Sequence, residues 1–315
     1  MDINKTQQIR YKINLKIADT VIQIQSRFKL IQLTDEEQRI RFSERFNNFF
    51  YTGKKKPDIL INIKIVKKLP QLQNTTTIFV TRRPGDKNGN WQLLKNGGGY
   101  IYKCLIKDKE QVIFMNRDLS RITAHLLPNK KKGYVWDIVD IIYDFLQVFL
   151  ISYFAQRKSG IFVHAVAVKD VDGEGFLFAG KSGAGKSTTA RIWHNQSGAT
   201  VLNDDRIIVR KRNGRFFIYG TPWHGDFDDY LTACIESAAL SKLFFIYHSF
   251  KNTARSIPSQ EVFKFLYPTI IPTFWDKDYL ENIISFCQDL IKSVRCFHLG
   301  FEKNENVIEF VRKFR

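Results

Sequence analysis

No two cysteines in this chain form a Cys-x-x-Cys pair. The four, Cys104, Cys234, Cys287 and Cys296, stand apart, and no histidine joins them at zinc-binding spacing. A zinc finger and a dithiol redox motif are excluded, and free thiols in a reducing cytoplasm are expected. Long apolar runs are missing too. The best of them, Phe145 to Ala155, is far shorter than the ~20 residues a membrane span needs, and Asp137, Asp140 and Asp144 punctuate the turns before it. A buried helix is expected there, and no membrane span. Residues Met1 to Ile31 alternate polar and apolar positions without the continuous core of a secretory signal, so a soluble cytoplasmic protein is expected. There is no internal repeat and no low-complexity tract. Acidic residues are scarce, 31 against 49 basic ones, for a net charge of +18. The imbalance is concentrated early: residues 1–150 hold 27 basic against 14 acidic (+13), and residues 151–315 hold 22 against 17 (+5). The clusters Lys54-Lys55-Lys56 and Lys130-Lys131-Lys132 are not interleaved with stacking aromatics, which argues against nucleic acid and for solvated loops. The basic half is kept as the region where an acidic acceptor would dock.

What is present is bulk for cores: 44% of residues are hydrophobic and 27 are phenylalanine. Tyr11 to Ile17 and Val21 to Gln25 alternate with period two around Ala18-Asp19, which predicts a β-hairpin. Thr34-Asp35-Glu36-Glu37 has the form of a capping box, followed by a short helical pattern through Ile40, Phe42, Phe46 and Phe49. Asp58 to Val66 alternates again, and further strands are expected at Thr77–Val80, Tyr100–Ile106 and Gln111–Met115. Trp136, Val139, Ile142, Tyr143, Leu146, Phe149, Leu150 and Phe154 then recur at helical spacing, predicting one helix over Tyr134–Gln156 that Ser159-Gly160 ends. A boundary is therefore drawn between a strand-rich module, residues 1–133, and a second domain, residues 134–315. In the second domain, buried strands are expected at Gly160–Val168, Gly175–Ala179, Ala199–Leu202, Leu243–Tyr247 and Cys296–Leu299. Asn213-Gly214 marks a hairpin, and helices are expected over Ser259–Tyr267, Tyr279–Ser293 and Val307–Phe314.

One stretch carries chemistry. Gly180-Lys181-Ser182-Gly183-Ala184-Gly185-Lys186-Ser187-Thr188 fits the phosphate-binding loop G-x-x-x-x-G-K-[ST] at every defined position. Glycines let the backbone turn tightly and aim N–H groups at one phosphate cluster. Lys186 has the reach for the β- and γ-phosphates of ATP, and the Ser187 hydroxyl is a Mg²⁺ ligand. An apolar strand precedes the loop, and a helix whose positive N-terminus faces the phosphates follows it. Asp204 comes only 18 residues after Lys186, with Asp205 next to it, at the end of the next short strand.

His164, the loop, and Asn203-Asp204-Asp205-Arg206, in that order and spacing, resemble the catalytic core of HPr kinase/phosphorylase, a family placed with the ATP-dependent phosphoenolpyruvate carboxykinases. The match is close over Gly160 to Val209. Gly220-Thr221-Pro222-Trp223-His224-Gly225 is similar to a divergent branch of HPr-kinase-like proteins. The resemblance implies that Lys186 holds the β/γ-phosphates and Ser187 binds magnesium. One of Asp204 and Asp205 accepts the substrate hydroxyl proton while the other sits near the metal, and His164 lies beside the base. It also implies an α/β fold, a phosphoenolpyruvate-carboxykinase-like nucleotide domain with a mixed sheet after a β-rich α+β module. The chain departs from the family where a Glu-x-Arg-Gly segment is expected, since Phe217-Ile218-Tyr219-Gly220 has neither acid nor arginine. His224 or Asp226 would have to substitute, and Arg255 is the loose match for a later catalytic arginine. The expected function is an ATP- and Mg²⁺-dependent kinase acting on a hydroxyl, with Ser/Thr of a protein or peptide favoured. A small-metabolite kinase and a non-catalytic nucleotide-binding regulator are the alternatives, and a homo-oligomer is admitted.

Overall fold

The computed structural model describes residues 11–27, 30–31, 40–41, 44–81, 91–106, 109–127, 136–137, 143–196, 198–225, 235–273 and 275–314. They divide into two compact units, Met1–Tyr153 and Phe154–Arg315. Both sheets of any size are mixed, and helices are few.

The first unit is built on an eight-stranded sheet. Its strands are β1 (Tyr11–Ile17), β2 (Thr20–Ser26), β5 (Ile59–Ile65), β6 (Thr76–Thr81), β7 (Trp91–Asn96), β8 (Gly99–Ile106), β9 (Lys109–Asn116) and β10 (Arg121–Leu126). They lie in the order β1-β2-β5-β10-β9-β8-β7-β6, parallel only where β5 meets β2 and β10. The expected hairpin joins β1 to β2 through Ala18 and Asp19, both with positive φ (46° and 60°). A two-residue turn of that hand matches the twist of the strands it joins. The alternation expected from Asp58 onward is seen in β5, where Ile59, Ile61 and Ile63 are buried. The strands β7 and β10 had no assignment from sequence. β10 buries Ile122, Ala124 and Leu126 on alternate positions, but Ala and the intervening Thr and His make a weak period-two signal.

Three two-residue strands, β3 (Leu30–Ile31), β4 (Ile40–Arg41) and β11 (Trp136–Asp137), form a small sheet in the order β11-β4-β3. This corrects two expectations. Ile40 belongs to a strand, and only Glu44–Phe49 is helical, as a 3-10 turn. The capping box at residues 34–37 lies outside the described residues. The helix expected from Tyr134 is α1 (Asp144–Gln156), because Trp136–Asp137 pairs with Ile40–Arg41 instead. Helical spacing of aromatics did not distinguish a helix from a strand followed by one. The helix ends on Lys158, which takes the left-handed conformation (φ 47°), while Gly160 already begins the next strand.

The second unit contains β12 (Gly160–Lys169), β13 (Glu174–Ala179), α2 (Lys186–Gln196), β14 (Thr200–Asn203), β15 (Arg206–Arg212), β16 (Arg215–Tyr219) and β17 (Ser237–His248). Then follow β18 (Thr253–Ser256), α3 (Ser259–Leu266), β19 (Ile270–Ile271), α4 (Lys277–Ser293), β20 (Arg295–Phe301) and α5 (Asn306–Lys313). The sheet path is β13-β12-β15-β16-β17-β20-β18, and β13 also pairs with β17, so five strands close a circuit. Two long strands make this possible. The first half of β12 pairs with β15 and its second half with β13. The start of β17 pairs with β16, and the rest runs parallel to β13 and β20. The Asn213-Gly214 hairpin joins β15 to β16, with φ of 47° and 78°.

Phenylalanine fills this core in register. Phe178, Phe244 and Phe297 are cross-strand partners on β13, β17 and β20, with ring centroids 5.3 and 5.5 Å apart. Trp193 of α2 lies 5.7 Å from both Phe176 and Phe178, which fixes α2 on that face. α5 closes the same face with Val307, Ile308 and Val311. Arg312 of α5 grips the buried Asp170 carboxylate with two bonds, at 3.0 and 2.7 Å, tying the last helix to the β12–β13 turn. α4 begins at Asp276, whose carboxylate accepts from Asp278 N and Tyr279 N, a side-chain N-cap.

Candidate functional site

β13 ends at Ala179 and α2 starts at Lys186, so the glycine-rich stretch is the connection between them. Its shape depends on glycine at two points. Gly183 and Gly185 have φ of 79° and 101°, a region other residues rarely adopt. At Gly185 space is also missing: a Cβ would come within 2.6 Å of Phe301 and 2.7 Å of His248. The loop is braced from below by Gly180, where a Cβ would meet Ala184 at 2.8 Å and Ile246 at 3.2 Å. Lys181, Ser182 and Gly183 are exposed, and Ser187 and Thr188 are half-buried on the first turn of α2. The Lys186 ammonium donates to the carbonyls of Gly180 and Lys181, at 3.0 and 3.2 Å, so it crosses the mouth of its own loop. Burial lowers its pKa, and the charge on Arg206 lowers it further, while Asp205 acts against both.

The acids arrive from the other side. β12 carries His164, and β15, which pairs with it, begins at Arg206 directly opposite. His164 Nε2 donates to Asp205 Oδ1 at 2.9 Å, and Arg206 Nη1 donates to the same oxygen at 2.6 Å. Burial pushes the Asp205 carboxyl up. The His164 hydrogen bond and the charges of Arg206, His164 and Lys186 outweigh it and hold the group below the usual carboxylate range. Asp205 is thus an ionised carboxylate within the field of the loop lysine. Asp204 is more deeply buried and accepts the N–H of Gly225 at 2.8 Å.

Two residues that the sequence motifs contain, but to which sequence reasoning gave no role, shape this turn. The buried Asn203 accepts the N–H groups of Asp205 and Arg206, at 2.9 and 3.0 Å, and donates to Thr221 O at 3.0 Å. Thr221, fully buried, donates its hydroxyl to Arg206 O at 2.6 Å. The segment Gly220–Gly225 therefore closes over the acid pair. Gly225 has no room for a side chain, since a Cβ would sit 2.9 Å from Asp204 and 3.1 Å from Asp205. The signal for this was Asn before the acids and Gly-Thr after a strand, which is too short to read without contacts.

The remaining sequence-nominated residues lie variously. His224 precedes Gly225, whose N–H binds Asp204, and its Nδ1 donates to Gly225 O at 3.0 Å. Trp223 is buried and packs 5.9 Å from Phe162. Arg255 is exposed on the edge strand β18 opposite His298, and is not among the groups linked to Asp205. Asp226 lies outside the described residues.

The set brings the loop lysine, a histidine and an arginine to bear on one ionised carboxylate. Among the described residues no group of three or more His, Cys, Asp and Glu side chains could hold a metal alone.

No family model matches this chain, and no curated protein matches it. Among solved structures, the HPr(Ser) kinase/phosphatase from Coxiella burnetii is similar at 14% sequence identity, over 48% of this chain and 90% of that chain, with a TM-score of 0.26. That is a distant structural relationship.

Proposed function

We propose that the protein is an ATP- and Mg²⁺-dependent kinase that transfers the γ-phosphate to a hydroxyl, with Ser/Thr of a protein or peptide as the favoured acceptor. The observation that carries this is Asp205, ionised, bonded to His164 and within the field of Lys186. Glycines whose positions exclude a Cβ leave the loop backbone open to phosphate, and Lys186 supplies charge to it. Mg²⁺, when bound, would neutralise phosphate charge, with Ser187 and Asp204 as its protein ligands. Asp205 is the residue that orients the acceptor hydroxyl and takes its proton, and His164 and Arg206 hold that carboxylate in place. A depressed carboxylate is a weak base. That suffices here, because phosphoryl transfer through a loose transition state demands positioning and charge stabilisation more than base strength.

The test separates binding from chemistry. Asp205→Asn keeps size and removes the proton acceptor, so ATP still binds while single-turnover transfer to a Ser/Thr peptide library falls by roughly two to four powers of ten. Asp204→Asn raises the magnesium requirement instead. If both variants transfer at the parent rate across a magnesium titration, the roles given to Asp204 and Asp205 are wrong; if the parent itself transfers nothing, the kinase reading is wrong.

A second reading, a nucleotide-binding regulator without transfer activity, draws on one observation. Where the family pattern has the Glu and Arg of Glu-x-Arg-Gly, the chain has the half-buried Phe217 and the buried Tyr219 of β16. Under it, both variants bind ATP and neither they nor the parent transfers phosphate.

A further inference from the structure

β17 runs past the phosphate loop into a turn that the phosphate chemistry does not use. His248 ends the strand and is anchored to the loop, its Nε2 donating to Gly183 O at 3.1 Å. The turn that follows is held at three points. Ser249 N donates to Phe301 O at 3.1 Å, Lys251 N to Ser249 Oγ at 3.4 Å, and Glu302 N to Asn252 Oδ1 at 2.9 Å. Yet its aromatic side chains are bare. Phe250 is fully exposed, and Tyr247 is 48% exposed. Six large hydrophobics are exposed among the described residues, and two of them lie within these four positions. Tyr247 lies against Gly300, where a Cβ would meet its ring at 2.8 Å. Phe250 is two residues beyond His248, so its Cα lies within about 7 Å of the Cα of the residue that touches the loop. A rigid turn offering aromatic surface beside a phosphate loop fits one part of a nucleotide, its flat base.

We infer that Phe250 is the platform on which the base of a bound nucleoside triphosphate stacks. This rests on the nucleotide-binding reading above and adds the subsite that distinguishes a nucleotide from bare polyphosphate. Every base has a π-face, so stacking tolerates base identity and rewards ring area. The platform therefore favours purines over pyrimidines and does not separate adenine from guanine. Lys251, next to Phe250 in sequence, is exposed and adds positive charge there.

The test is calorimetry on the full chain with the magnesium complexes of ATP, GTP, CTP and inorganic tripolyphosphate. In the parent, ATP and GTP bind more tightly than CTP, and CTP more tightly than tripolyphosphate. Phe250→Ala weakens ATP and GTP by at least about fivefold, the low end for one base–aromatic stack, and leaves tripolyphosphate unchanged. Phe250→Trp restores the affinity. The side chain is exposed, so these variants fold. Equal effects on ATP and tripolyphosphate, or none on either, overturn the platform while leaving the phosphate loop standing. If neither ligand binds the parent, the nucleotide reading fails and the platform fails with it.

Discussion

Asn203 shows how much of a site can rest on one uncharged side chain. Its Oδ1 accepts two backbone N–H groups and its Nδ2 satisfies Thr221 O, so the turn that aims Asp204 and Asp205 is closed by a buried amide. Removing it leaves three polar groups to find other partners. An unsatisfied buried group costs about 1–3 kcal/mol, and two of these N–H groups are only part-buried. Asn203→Ala is therefore expected to lower unfolding free energy by about 1–3 kcal/mol in urea titrations. Asn203→Asp retains the accepting oxygen and should recover part of the loss. An Ala variant with the parent's midpoint would show that water replaces the amide without cost. The His164–Asp205 pair was legible from spacing and resemblance. Asn203 and Thr221 were not, because their roles exist only once two segments 18 residues apart meet.

At the scale of elements, the phosphate loop is a connection whose glycines have different duties. Gly185 needs both its positive φ and its missing Cβ, whereas Gly173, at φ 86°, has nothing within 4 Å of a Cβ. Gly185→Ala forces Phe301 and His248 away and is expected to weaken nucleotide binding at least about tenfold, the effect of roughly 1.4 kcal/mol out of the 1–3 kcal/mol such backbone strain stores. Gly173→Ala, in the β12–β13 turn, is expected to cost stability alone. Calorimetry with thermal melts distinguishes the two, and equal binding by both variants would mean the loop adapts. The elements themselves were readable where apolar periodicity was strong, as in β5, β12 and α4. They were misread where aromatics at helical spacing spanned two structures, as from Trp136 to Phe154. α4 began two residues before its expected start because Asp276, a side-chain cap, sets the boundary rather than the first apolar residue.

For the whole molecule, the asymmetry of charge is the feature that sequence makes plainest, and contacts refine it. Lys55 is not a spare cation: its ammonium donates to Asp19 O at 2.8 Å and Asp58 Oδ2 at 2.7 Å, bracing the β1–β2 turn. Lys54 and Lys56 are exposed. If the basic half docks an anionic acceptor, replacing Lys54 and Lys56 together by Ala should weaken an acidic peptide's binding at low salt. The difference should shrink as salt rises, since exposed charges are screened beyond about 10 Å at 0.1 M. Titration of the double variant by fluorescence anisotropy at two salt concentrations checks this, and identical affinities would leave those lysines as solvated surface. That strands outnumber helices followed from alternating and continuous apolar runs, whereas the mixed sheet was expected from the resemblance alone. Strand order did not, because it depends on which distant segments find β12 and β17.

That strand order has a consequence for when the site exists. β13, which leads into the loop, has β12 on one side and β17 on the other, and β17 begins 58 residues after β13 ends. The floor of the loop comes later still, from Ile246, His248 and Phe301. During synthesis the loop and both acids emerge long before the chain that completes their frame. Closing a circuit through such separated strands is slow, because the entropy of the long loops is lost before the pairing repays it. Ligand competence is therefore acquired in a late step of folding, though nearly every residue that confers it lies between His164 and Gly225.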